Sequence, residues 1–147
     1  MPRPSAPLLA IALWAVSLAS PAQDFHRTPL PFDHPLVGVW RIDVPGTDCH
    51  EVYTIQADGT AQVTSGQQAA ESEFVIDLKP SPRGFYRWVD RLVKDNGLPD
   101  CTGAVSTLGH EATNFIILHP SRPEFLMCVA EDLETCIGPF LRIGLPA

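Results

Sequence analysis

The chain has 147 residues and a formal net charge of −7 at pH 7. That acidic balance repels phosphate backbones and anionic headgroups, which argues against nucleic acids and membrane surfaces as partners. The length suits a single domain built on one core.

Residues 1–22 read as a signal peptide. Arg3 supplies the positive start, Leu8–Leu18 the apolar run, and Ser20 and Ala22 the small residues before a cleavage at Gln23. Cleavage after Ala19 is the competing site. The apolar run is short for a membrane span and has no charge on its far flank, so no span is expected in the mature chain. The expected location is the periplasm or the secreted space. Most cations are Arg and no Asn-x-Ser/Thr sequon occurs, which suits a bacterial periplasm without excluding another secreted origin. Cleavage removes Arg3 and no acid, so the acidic excess deepens.

Residues 23–35, QDFHRTPLPFDHP, hold three prolines and no periodicity, and read as an extended leader. The barrel domain is expected over 36–147. Its first strand, GVWRIDV (38–44), puts Trp40, Ile42 and Val44 on one face. EVYTIQ (51–56) puts Tyr53 and Ile55 together, and Asp58-Gly59 then supplies a hairpin turn. TAQVTS (60–65) returns, and the polar run 66–71 is expected as a loop. SEFVIDLK (72–79) aligns Phe74, Ile76 and Leu78. The prolines of PSPRG turn the chain into FYRWVDRLVK (85–94), whose aromatic and β-branched content favours strand. A long glycine-bearing segment, 95–113, precedes three last strands at 114–118, 124–130 and 137–143. These eight segments, with no convincing amphipathic helix, predict an all-β, antiparallel, up-and-down eight-stranded barrel, since closure removes unpaired edges.

If the barrel closes, the first strand meets the last, and Trp40 meets Arg142 at one end. A guanidinium over an indole face contributes about 0.5–2 kcal/mol. Gly38 and Trp40 with a late Arg142 resemble the closure signature of the lipocalin-like (calycin) barrels. The resemblance implies the fold and a structural role for Gly38, Trp40 and Arg142. The chain lacks the Thr-Asp-Tyr-type loop segment and the terminal helix of that family, so a reduced bacterial periplasmic variant is the nearer likeness. It is also similar to small periplasmic inhibitors of secreted metalloproteases, which act through an N-terminal segment; residues 23–35 would stand in for it.

Cys49, Cys101, Cys128 and Cys136 form an even set in an exported chain, where disulfides are the default. Strand alternation places all four at the end opposite Trp40. The expected pairing is Cys49–Cys136 with Cys101–Cys128, and the hairpin bridge Cys128–Cys136 is its main competitor.

Inward candidates for holding a small apolar ligand are Tyr53, Ile55, Phe74, Ile76 and Trp88, in an interior that eight strands can leave filled or hollow. HEATN (110–114) opens like a zinc-protease motif but has Asn114 where the second His belongs, so no metal is expected there. His50 and His110 could approach each other at the rim near Glu51 and Glu111, most simply as surface histidines. Asp90 is expected to point inward and pair with Arg87 or Arg91, as a structural ion pair rather than a general acid. No nucleophile elbow, phosphate loop or dinucleotide motif occurs, so no enzyme activity and no cofactor are expected. The expected function is non-catalytic binding, of a small apolar molecule in the barrel or a secreted protein at the rim loops. The alternatives are a periplasmic protease inhibitor and a structural envelope domain.

Overall fold

In β1 (Gly38–Asp43), Gly38, Trp40 and Ile42 are buried while Arg41 and Asp43 are exposed, the period-two pattern of a sheet with one dry face. A computed structural model describes residues 24–147; the expected signal segment and Gln23 lie outside the described residues. The other strands are β2 (His50–Ile55), β3 (Thr60–Ser65), β4 (Gln68–Ile76), β5 (Phe85–Asp95), β6 (Glu111–Leu118), β7 (Glu124–Cys128) and β8 (Cys136–Gly144). Each pairs antiparallel with the next, and β8 returns to β1, so the sheet closes as an eight-stranded up-and-down barrel. A single 3₁₀ turn, Leu133–Thr135, is the only helical element among the described residues.

Three strands depart from the sequence reading, one of them β7, which stops at Cys128 instead of running to 130. The segment 66–71, expected as a loop, contains only the turn Gly66–Gln67; β4 already starts at Gln68. Its polar residues Gln68 and Ser72 are buried, which disguised the strand because alternation was sought in apolar residues alone. At its other end β4 stops at Ile76, so Leu78 is 57% exposed rather than inward. Likewise β6 begins at Glu111, three residues earlier than its apolar core suggests.

Closure takes the form expected of it. Trp40 lies opposite Arg142 across β1 and β8, and the guanidinium carbon sits 4.8 Å from the indole centroid. Arg142 also donates to the Pro35 carbonyl, and the Trp40 indole N–H donates to the Leu36 carbonyl at 2.9 Å. Gly38 is needed for space. A Cβ there would stand 3.2 Å from both Arg142 Nε and Trp40 Nε1, two groups fixed by packing.

The leader belongs to the barrel. Arg27 approaches Glu73 at 3.6 Å, and the Thr28 and Leu30 amides donate to the Phe74 and Ala57 carbonyls. The segment thus passes under the end where Trp40 lies, and Leu30 and Leu36 join the buried core.

Candidate functional site

The five inward candidates come together, in a packed cluster. Ile55, Phe74, Ile76 and Trp88 are buried, with Phe74 stacked on Trp88 at 4.0 Å between centroids. Tyr53 packs against this core and meets Phe140 edge-on at 5.3 Å. Phe140 stacks on Phe125 at 4.6 Å, and Phe125 meets Trp40 edge-on at 4.8 Å. Phe125, Phe140 and Ile116 were not among the inward candidates, although each stands within a segment read as strand.

Toward the opposite end the interior turns polar. The Tyr53 hydroxyl and the Ser65 hydroxyl each donate to Glu51, both at 2.7 Å. Burial, with Glu51 beside it, pushes the Tyr53 hydroxyl well above the ordinary tyrosine range, so it stays a donor. Gln68 reaches Asp95 at 2.6 Å and Ser106 at 2.8 Å. Period-two reading could have flagged Glu51 and Ser65 as inward, because they share the faces of Tyr53 and Ala61.

All four cysteines lie at this end, but in a different pairing from the expected one. The bridges are Cys49–Cys101 and Cys128–Cys136. Cys128 and Cys136 are register partners across the β7–β8 hairpin, which favours the competitor over Cys101–Cys128. Cys101 is instead carried across the mouth to the β1–β2 loop. There Cys101 N–H donates to Ser65 Oγ at 3.0 Å, and the Gln67 amide donates to the Pro99 carbonyl at 3.1 Å. Gly66, at φ +58°, lets the strap come close: a Cβ would meet the Asp100 backbone at 3.0 Å. Within the strap, Asp100 accepts from the Thr102 hydroxyl at 2.6 Å and from the Ala104 amide at 3.0 Å. The Thr102 hydroxyl bond is the main reason its carboxyl lies below the usual aspartate range.

Beside the strap a cleft of about 380 Å³ opens, lined by Asp90, Leu92, Val105, Ser106, Thr107 and His110. The expected ion pair of Asp90 does not form. Arg91 faces outward and binds Glu111 at 2.8 Å, Arg87 is exposed, and no cation pairs with Asp90 among the described residues. The reason is the strand period: Asp90 shares the inward face of Trp88, and its arginine neighbours do not. Burial pushes the Asp90 carboxyl above the usual aspartate range, against hydrogen bonds from Trp88 and its own backbone and the nearby His110. His50 and His110 do not assemble a metal centre; no group of three potential ligands converges among the described residues.

The sign of the Asp90 effect follows from its raised value. Between the ordinary value near 3.8 and that raised one, the folded chain holds a proton that the unfolded chain has released. Stability therefore falls as pH rises through this window and stays lowered above it. Asp90→Asn is expected to raise the thermal midpoint at pH 7 and to leave it unchanged near pH 3. Thermal melts of both proteins across that range check it; an Asn variant less stable at neutral pH would refute the assignment.

Charge divides the two ends. The loops at the stapled end, 44–49, 66–67, 96–110 and 129–135, contain Asp48, Asp100, Glu131, Asp132 and Glu134 and no Lys or Arg. The loops at the leader end, 56–59, 77–84 and 119–123, mix Asp58 and Asp77 with Lys79, Arg83 and Arg122. The stapled loops also expose Leu98, Val105, Leu108, Val129 and Leu133, with Leu108 at 60% and Val129 at 74%.

No family model, curated protein or solved structure matches the chain. The site is therefore read from its own chemistry. It presents apolar side chains in an acidic surround, on loops held by two covalent staples, above an interior filled with rings.

Proposed function

We propose that this is an exported, non-catalytic binding protein of lipocalin-like build that engages a secreted protein through the stapled rim loops. One observation carries the reading: Leu98, Val105, Leu108, Val129 and Leu133 are exposed on loops fixed by Cys49–Cys101 and Cys128–Cys136. Isolated exposed apolar residues are ordinary on protein surfaces. A set of them on disulfide-held loops has the composition of a pre-ordered binding surface, where little chain entropy remains to be lost on association. The stacked rings Phe74, Trp88, Phe125 and Phe140 favour the rim over the barrel interior as the place of binding. Gly38, Trp40 and Arg142 support the lipocalin-like likeness, and the two disulfides support an oxidising compartment. The inhibitor reading gains nothing from the leader, whose Leu30 is part of the core.

Site-specific photo-crosslinking tests the proposal. A photoreactive residue at Leu108 or Val129 is expected to give discrete protein adducts in the exported fraction of the host, while one at Phe32 or Leu78, at the leader end, gives none. Equal adducts from both ends, or none from the rim, would sink it.

A further inference from the structure

We propose that the stapled end receives a basic, partly apolar segment of its partner, and that one Lys or Arg side chain of that segment enters the cleft beside Asp90. The inference rests on the rim reading and names the chemistry of what binds there.

The loops of this end carry five acids and no Lys or Arg, interleaved with exposed Leu and Val. A surface of one sign with apolar elements complements a segment of the other sign with apolar elements. At the mouth of a cleft that holds a carboxylate, such a surface adds to the attraction of a cation toward it. The focus here is Asp90, an inward, half-buried carboxylate that makes no salt bridge among the described residues, with His110 beside it. Around it Leu92 and Val105 can line an aliphatic stem, while the Ser106 and Thr107 hydroxyls stand at the same cleft. His110 is the only other titratable group lining it. A half-buried carboxylate without an ion-pair partner costs stability that an incoming guanidinium or ammonium recovers in part. The cleft, about 380 Å³, lies near the small end of ligand pockets, which run from about 300 to 1,000 Å³, and takes one long side chain.

The test uses the mature protein with both disulfides intact and three capped peptides: alternating Arg-Leu, Gln-Leu and Glu-Leu. Calorimetry is expected to show the Arg-Leu peptide binding at least about tenfold tighter than Gln-Leu, with affinity falling as salt rises, and Glu-Leu not binding. Asp90→Asn is expected to weaken Arg-Leu by about tenfold or more and to leave Gln-Leu unchanged. Val105→Trp, an exposed position that narrows the cleft, is expected to weaken Arg-Leu with Asp90 intact. Near-UV circular dichroism confirms that both variants are folded.

Equal affinity for the three peptides, or no binding by any, overturns the inference. A retained Arg-Leu preference that Asp90→Asn does not diminish overturns the cleft anchor. Butylguanidinium binding as tightly as the peptide would make the occupant a small organic cation, which overturns the protein segment. Failure here with persisting crosslinks from Leu108 would leave the rim reading standing; loss of both would remove it too.

Discussion

Trp40→Ala is expected to lower the unfolding free energy by about 3–5 kcal/mol, the range for removing a large aromatic from a packed core. Trp40 is 1% exposed and in contact with Phe125. The substitution also leaves the Leu36 carbonyl without its indole donor and takes the ring from beneath Arg142. Trp40→Phe retains much of the ring and loses the N–H, so its cost should approach that of one hydrogen bond, about 1 kcal/mol. Since small domains hold only about 5–15 kcal/mol, the alanine variant consumes a large share of the total. Urea unfolding followed by far-UV circular dichroism measures both. An alanine variant that loses less than its phenylalanine counterpart would contradict the core role given to the indole.

The two staples are expected to differ in weight. Cys49–Cys101 spans 52 residues of sequence and Cys128–Cys136 only 8. By the chain-entropy relation the first contributes about 4 kcal/mol and the second about 2.5 kcal/mol. The hairpin bridge also joins residues already opposed in the β7–β8 ladder, whereas Cys101 holds the strap against β2 and β3. Paired serine replacements, C49S with C101S and C128S with C136S, are expected to destabilise in that order in denaturant melts. The first pair should also abolish rim crosslinking from Leu108. The reverse order would show that the strap is held by its hydrogen bonds instead.

The barrel was legible because its code is local. Alternation gives strands, Asp58-Gly59 gives a turn, and the Gly38, Trp40 and Arg142 set ties the two ends of the domain. What escaped was the information that depends on partners across space. Gln68 and Ser72 are polar and buried, so β4 lost its first residues to an apparent loop. The disulfide pairing was missed because residues 96–104 cross the mouth, a path set by Ser65, Gln67 and Gly66 rather than by anything in the strap itself. Asp90 illustrates the same limit. Its arginine neighbours suggested an ion pair, but a strand sends adjacent side chains to opposite faces.

The join between β1 and β8 bears on how the molecule comes into being. The bond from Arg142 to the Pro35 carbonyl links groups 107 positions apart, among the most distant contacts such a domain can make. Topologies dominated by remote pairings reach the native state in milliseconds to seconds rather than microseconds. During synthesis, β1 lacks its β8 partner on one edge until the end of the domain has emerged. The Trp40 indole lacks Phe125 and Arg142 for that interval, so the packing at that end of the barrel is completed last.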